Sequence, residues 1–233
     1  MKNNNFWNIL FVLIAIGLYG YLEYYNKEDV KVEPIISYPV SDIPDYSDKD
    51  VIILNNNEPE FDKEDINNKS FEKYGELDEL GRCTYAYANI GEDLMPTKER
   101  ERISNIKPTG WHYIKYDFID DGILYNRCHL IAYQFTAEND NKSNLITCTR
   151  HTNYDLMRDY ENLIGNYIRK THNHVLYRVT PIFDSDNLIA KGVQLEALST
   201  HDNGEDIKFN VFIYNVQPGI VIDYKTGDSS IKE

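Results

Sequence analysis

The sequence of 233 residues contains few cysteines. Its three cysteines, Cys83, Cys128 and Cys148, form no CxxC pair, which argues against a structural zinc site. An odd number of cysteines also cannot form a closed set of disulfides. One disulfide with one free thiol and three free thiols both stay open, because spacing alone does not decide between them.

Basic residues are also in deficit, since 24 Lys and Arg stand against 38 Asp and Glu, for a net charge of -14. Such a balance opposes nonspecific binding to a polyanion. The deficit is uneven, however: residues 26–80 carry 6 - 16 = -10, whereas residues 81–233 carry 17 - 21 = -4. A local basic surface is therefore compatible with the C-terminal part. Its candidate members are Arg127, Arg150, Arg158, Arg169, Lys170 and Arg178.

Long hydrophobic runs are absent except at residues 6–22, which are apolar over the length that a membrane-spanning helix needs. No small-x-small cleavage site follows this run, since Ala15-Ile16-Gly17 falls in its middle. We therefore favour an uncleaved N-terminal membrane anchor over residues 1–25, with a cleaved signal peptide as the alternative. Lys2 precedes the run and acidic residues follow it, which predicts that the rest of the chain lies outside the cytoplasm, either anchored to the cell membrane or secreted.

Residues 26–73 combine four prolines with many acidic residues and only short apolar clusters. Such a composition does not bury enough apolar surface to fold alone, so it predicts a spacer. Within it, residues 51–54 could still form an edge strand or a docking segment. The folded domain is then predicted at residues 74–233.

The domain has an α+β pattern. Apolar residues recur at helical spacing over residues 151–170, which predicts an amphipathic helix. Three strand-like runs follow, at residues 175–183, 188–198 and 207–214, and turn residues between them indicate an antiparallel meander. Upstream, the Asp-Gly step at residues 121–122 predicts a hairpin between residues 113–118 and 123–132.

His129 is the first candidate for chemistry, because a neutral imidazole can take a proton from water. A single histidine in a mixed strand is more often structural, so its neighbours matter. Asn153 and Glu161 are eight residues apart and share a helix face, and Asn144 precedes a short strand. Amide oxygens suit Mg²⁺, which keeps several of its waters. The simpler interpretations are a helix cap for Asn153 and a solvated charge for Glu161.

Residues 126–131, Asn-Arg-Cys-His-Leu-Ile, resemble the Asp-Arg-Gly-His motif of the DNA/RNA non-specific endonucleases, which belong to the ββα-metal or His-Me finger superfamily. The resemblance continues in the same order along residues 75–229. It is strongest to the membrane-anchored DNA-entry nucleases and secreted deoxyribonucleases of Gram-positive bacteria. Further matching segments are residues 144–147, 149–150, 153, 160–162, 177–180, 209–211, 215–219 and 223–227.

The resemblance implies an α+β fold with a ββα-metal core on a central antiparallel sheet, and it implies cleavage of DNA, with RNA as a second substrate. It makes His129 the general base, and Asn153 the ligand of one Mg²⁺, with Mn²⁺ as the alternative ion. Asn144 would support the metal site or orient His129, and Glu161 would act through the waters of the metal or the scissile phosphate. Arg127 would contact phosphate. With Arg150 and Arg178 it completes the predicted nucleic-acid-binding set.

Two departures from the family pattern stand beside His129. Asn126 replaces an acidic residue, and Cys128 and Cys148 stand where glycine is frequent. Alternation along a strand predicts that Cys128 points away from the face of His129. Two rival functions remain at this stage: a thiol enzyme that uses Cys128 or Cys148, and a surface receptor that binds DNA without cleaving it.

Overall fold

The computed structural model describes residues 36–233, which form one compact unit. A mixed sheet of seven strands has the order β1-β2-β9-β8-β7-β4-β3, and every neighbouring pair is antiparallel except β1 and β2. Its strands are β1 (Ser37–Tyr38), β2 (Val51–Leu54), β3 (Phe71–Tyr74), β4 (Ala86–Ile90), β7 (Val175–Ile182), β8 (Gly192–Ser199) and β9 (Lys208–Tyr214). The predicted α+β class and the meander of the last three strands are confirmed.

A separate two-stranded hairpin and the helix after it lie against this sheet. Strands β5 (Tyr125–His129) and β6 (Leu145–Thr149) pair in antiparallel register, and the short helix α1 (Tyr133–Thr136) lies between them. A π-helix (His151–Met157) then continues directly into α2 (Arg158–Thr171). Strands β10 (Ile220–Ile222) and β11 (Ser229–Ile231) form a second small hairpin near the C-terminus.

The two faces of the sheet bury different partners, because side chains alternate along a strand. On β7, Val175, Tyr177 and Val179 pack into the largest apolar cluster together with buried residues of α2 and the β5–β6 hairpin. Leu176 belongs to a second cluster with Phe61. The β5–β6 hairpin and α2 are therefore held on one face, and part of the segment before β3 covers the other.

The N-terminal part of the described chain differs from the prediction. The sequence predicted a spacer at residues 26–73 with a possible strand at 51–54, whereas β1, β2 and most of β3 lie in this range. Strand β2 pairs with β9, and β3 pairs with β4, so the segment supplies strands at both edges of the sheet. The short apolar clusters of this segment are buried against the rest of the domain. The composition of the segment alone does not predict such contacts.

The predicted hairpin over residues 113–132 is largely wrong. The turn forms, with Asp121 in the left-handed region at φ 62°, but residues 113–118 contribute only one bridge, between Lys115 and Ile123. The main partner of β5 is β6. The Asp-Gly step predicted the turn correctly, whereas the strand that follows pairs along its whole length with β6.

The predicted amphipathic helix is confirmed, although its first seven residues form a π-helix. The helix ends at Thr171, and His172 follows in the left-handed conformation with its N–H donated to the Ile168 carbonyl at 2.8 Å. No helix within residues 36–233 is both long and apolar enough to cross a membrane. The predicted anchor at residues 1–25 lies outside the described residues.

Candidate active site

His129 ends strand β5 and is only 6% exposed. Its Nε2 lies 2.8 Å from the Asn139 carbonyl oxygen, which can only accept, so Nε2 carries the proton. The Nδ1 atom therefore keeps its lone pair, and it accepts from the Arg100 guanidinium at 3.3 Å. Burial and the charge of Arg100 together lower the pKa of His129 to about 4, although the hydrogen bond to the Asn139 carbonyl acts in the opposite direction. The imidazole is thus neutral at neutral pH, with an acceptor nitrogen at the side of Arg100.

A cavity of 330 Å³ lies beside His129. Four of the seven predicted site residues line it, namely Arg127, His129, Asn153 and Glu161. The β5–β6 hairpin contributes Arg127 and His129, and the helix after β6 contributes Asn153 and Glu161. The strand–strand–helix unit therefore converges on one cavity.

Asn153 and Glu161 reach the cavity from the same side of one helix, as their spacing predicted. Asn153 lies in the π-helix, a widened turn that occurs frequently at functional sites. The start of this helix is fixed by buried Thr152, whose hydroxyl donates to the Tyr214 carbonyl at 3.1 Å. Burial raises the pKa of Glu161 and the charges of Arg100 and Arg158 oppose that effect, with a net pKa of about 7.

Comparison with known proteins agrees with this geometry. The sequence profile of the DNA/RNA non-specific endonuclease family matches residues 63–201. The chain belongs to this family.

Solved structures of related nucleases share the fold. NucA from Streptococcus agalactiae with bound magnesium is 28% identical, with a TM-score of 0.67 over 76% of this chain and 85% of that protein. Its metal-free form gives 26% identity and a TM-score of 0.69 over 83% and 92% of the two chains. Sda1 nuclease with bound zinc gives 25% identity and a TM-score of 0.57 over 70% and 80%. The α+β, ββα-metal class expected from the sequence is thereby confirmed, and so is its assignment as an endonuclease.

The donors in the endonuclease cavity fit a hydrated Mg²⁺ ion. Amide and carboxylate oxygens are hard ligands, and Mg²⁺ takes few protein ligands while it keeps several waters. Among the described hydrogen bonds none involves the Asn153 side chain, and the Glu161 carboxylate is desolvated, so both groups have free ligating oxygens. Residues 36–233 contain no group of three or more His, Cys, Asp or Glu side chains arranged to hold a metal. A site with few protein ligands therefore fits this cavity better than a closed cage.

Arg127 lines the cavity, and part of its guanidinium is bound to backbone carbonyls. Its Nε donates to the Ile106 carbonyl, and one terminal nitrogen donates to the Ser104 carbonyl at 3.1 Å. The guanidinium carbon also lies 3.9 Å from the centroid of the Trp111 ring. Arg127 thus holds residues 104–106 in place, and its remaining N–H groups stay available for the phosphate contact expected from the sequence.

Asn144 is fully buried and does not ligate into the cavity. Its Oδ1 accepts from the Ile131 N–H, and its Nδ2 donates to the Ile131 carbonyl, both at 2.9 Å. The amide therefore has no free oxygen directed at a metal, and the prediction of Asn144 as a metal ligand is not supported by this geometry. Its bonds fix the chain two residues beyond His129, which agrees with the other predicted role of orienting the base.

Neither Arg150 nor Arg178 lines the cavity, although Arg150 lies 4.8 Å from the ring of Tyr154, which does. Arg150 is surrounded by acidic side chains, with Asp121 and Asp155 both at 3.5 Å. Arg178 projects from the opposite face of the sheet, where it pairs with Glu196 at 2.7 Å. Both guanidiniums are neutralised locally, so neither provides a free positive charge beside the cavity.

The Arg178–Glu196 pair yields a prediction about stability. The Glu196 side chain is only 3% exposed, so removing its partner leaves a buried carboxylate unpaired. We expect Arg178→Ala to lower the free energy of unfolding by about 2 kcal/mol, discounted for the partial exposure of Arg178. Urea denaturation measures this change. Cleavage of DNA by the folded variant should stay within about twofold of the wild type, and a large loss of activity would return Arg178 to the substrate-binding set.

Arg100 and Tyr133 also line the cavity but were not identified from the sequence, and Arg158 was named only as a member of a basic surface. Arg158 lies on α2 one turn before Glu161, a spacing that could have identified it. Tyr133 lies four residues after His129 on α1. Arg100 lies in a segment without helix or strand, 29 residues before His129, so no periodic pattern links the two.

The cysteines exclude a thiol enzyme. Cys128 and Cys148 form a disulfide with Cα atoms 5.9 Å apart, and both are fully buried. Cys83 is the free thiol, and burial raises its pKa to about 11, so it is not a ready nucleophile. As strand alternation predicted, Cys128 points into the core while His129 faces the cavity.

Proposed function

We propose that this endonuclease hydrolyses phosphodiester bonds of DNA without sequence preference, in a Mg²⁺-dependent reaction outside the cytoplasm, with RNA as a second substrate. The observation that carries the proposal is the Nδ1 lone pair of His129 beside a cavity that Asn153 and Glu161 also line. A base, hard oxygen donors and guanidinium groups in one cavity are what phosphodiester hydrolysis requires.

His129 is the general base in this proposal. The Nδ1 atom takes a proton from a water molecule, and the water oxygen bonds to phosphorus as the bond from phosphorus to the 3′ oxygen breaks. The leaving 3′ oxygen takes a proton from a solvent water molecule, which gives 5′-phosphate and 3′-hydroxyl ends. The Asn139 carbonyl fixes the ring by accepting from Nε2 at 2.8 Å. It also stabilises the imidazolium that forms, because Nε2 remains the donor.

Asn153 would hold the ion directly, and Glu161 would orient its waters. When bound, Mg²⁺ would supply positive charge that offsets the charge developing on the phosphate. Glu161 lines the same cavity as Asn153, and a positive charge beside this carboxylate would favour its ionised form against the effect of burial.

Arg100 and Arg158 would bind the phosphate backbone. Both line the cavity, and both act electrostatically on Glu161. In the observed conformation Arg100 donates to the nitrogen that must accept the proton. A bound phosphate would draw the guanidinium away from His129, and the loss of that contact would raise the pKa of the base. Substrate binding and activation of the base are coupled in this way.

The disulfide supports a location outside the cytoplasm. Disulfides form and persist in oxidising compartments and are rare in the reducing cytoplasm. The Cys128–Cys148 bond lies within the β5–β6 hairpin that carries His129, so an oxidising compartment favours the intact active site. The single-pass membrane anchor at residues 1–25 stays a prediction, with secretion as the alternative.

Digestion of supercoiled plasmid tests the proposal. We expect purified protein to nick and then degrade the plasmid with Mg²⁺, and EDTA to abolish cleavage because the ion supplies the charge at phosphorus. Alkylation with iodoacetamide should leave the activity unchanged, since the free thiol is buried. RNA of similar length is assayed in parallel, with Mg²⁺ and with Mn²⁺. The cleavage rates then rank the two substrates and the two ions.

A surface receptor that binds DNA without cleavage is the competing hypothesis. Plasmid that is retarded on a gel but stays intact with either ion would support the receptor and contradict the nuclease.

A further inference from the structure

Residues 98–106 cross the cavity as a strap, a segment with no helix or strand of its own. The strap carries Lys98, Arg100 and Arg102 against Glu99 and Glu101, so it is net basic on an acidic protein. The Arg100 guanidinium extends from its middle to His129. The strap therefore places a positive charge at the base, although it lacks the hydrogen-bond ladder that normally fixes a backbone.

Side chains that flank His129 in sequence hold the strap at both ends. Arg127, two residues before His129, donates to the carbonyls of Ser104 and Ile106. Tyr133, four residues after His129, donates its hydroxyl to the carbonyls of Lys98 at 2.9 Å and Glu99 at 3.3 Å. One short stretch of chain thus carries the base and both attachments of the strap.

We propose that Tyr133 is a positioning residue for the endonuclease reaction: its hydroxyl fixes the strap so that Arg100 faces the phosphate in the cavity. This inference rests on the proposed function, in which Arg100 binds phosphate. Tyr133 itself acts on the backbone beside Arg100 and needs no contact with the substrate. A guanidinium on a free strap would have to be ordered each time a substrate binds, which lowers the binding and orientation that it provides.

The first test is a double-mutant cycle with Tyr133→Phe and Arg100→Ala. Tyr133→Phe keeps the ring and removes only the hydroxyl, so the fold should survive. We expect kcat/KM on plasmid to fall about three- to tenfold, the range for one lost hydrogen bond of ordinary strength. In the Arg100→Ala background the same substitution should have almost no further effect, because the group that it positions is gone. An equal fold-loss in both backgrounds would overturn the proposal.

Salt dependence separates positioning from a general structural defect. Arg100→Ala should reduce the slope of log kcat/KM against log salt by up to about one, as for one lost phosphate contact. Tyr133→Phe should also reduce the slope of log kcat/KM against log salt. Tyr113→Phe is the matched control, since Tyr113 is 65% exposed and does not line the cavity. A slope that Tyr133→Phe leaves unchanged would contradict the proposal.

Limited digestion with trypsin tests the attachment without any assay of activity. Because the strap contains Lys98, Arg100 and Arg102, we expect it to be cut faster in Tyr133→Phe than in the wild type. Equal rates of cutting at the strap in the two proteins would show that the hydroxyl does not hold it. A wild-type protein that cleaves no nucleic acid would instead contradict the proposed function, so the two failures are distinguishable.

Discussion

His129→Ala should lower kcat for plasmid cleavage by about 10²–10⁴-fold, the usual contribution of a positioned general base. The alanine removes the only described histidine that lines the cavity, so no neighbouring imidazole can replace it. The measurement is the initial rate of nicking of supercoiled plasmid with saturating Mg²⁺. DNA binding should persist, because the guanidiniums of Arg100 and Arg158 remain in the cavity.

His201→Ala provides the matched control, since it removes an exposed imidazole outside the cavity and should leave the rate unchanged. Retained turnover by His129→Ala would refute the assignment of the base. Added imidazole gives a further check, since partial recovery of the rate is expected if the missing group is a proton acceptor. A variant that loses binding as well as cleavage would indicate that His129 supports the cavity instead of the chemical step.

Replacing both Cys128 and Cys148 with alanine should lower the free energy of unfolding by about 3 kcal/mol, the value for a disulfide that closes a loop of this length. The bond joins residues 20 apart in sequence and links the strand of the base diagonally to its partner strand. Its loss widens the conformational range of the unfolded chain and weakens the hairpin. Urea denaturation of the variant and of the wild type measures the difference.

Unfolding in the presence of reductant is the control for the disulfide. Dithiothreitol should shift the wild-type midpoint toward that of the double variant and leave the variant itself unaffected. A wild-type midpoint that is the same with and without reductant would contradict a stabilising disulfide. Cys83→Ala, which removes the buried free thiol, shows how much of the effect comes from lost packing instead of the lost bond.

Local sequence patterns predicted the parts of the fold that repeat over many residues. The amphipathic helix that begins at His151 and the three strands of the meander were predicted from the spacing of their apolar residues, and these elements form in the structure. Strands β1 and β3 have two and four residues, and their pairing depends on partners far along the chain. No local pattern carries that information, so a composition argument described their segment as a spacer.

The predicted site residues also divide into those that a local pattern places correctly and those that it does not. His129, Asn153 and Glu161 lie on regular elements whose geometry fixes the side-chain directions, and they do line one cavity. The arginines were less predictable, because a positive charge at the surface can be neutralised by residues distant in sequence. Glu196 neutralises Arg178 across a strand pair, and Arg100 reaches the cavity from an irregular segment.

The pairing of β2 with β9 also determines when the domain can fold. Val51 lies opposite Ile213, so β2, near the start of the described chain, pairs with β9, which is synthesised much later. Contacts of such high sequence separation slow folding, because a long loop must close before the pair forms. During synthesis the central sheet therefore remains incomplete until Tyr214 has been added. Until then β2 can pair in this sheet only with β1, and β8 lacks its second neighbour.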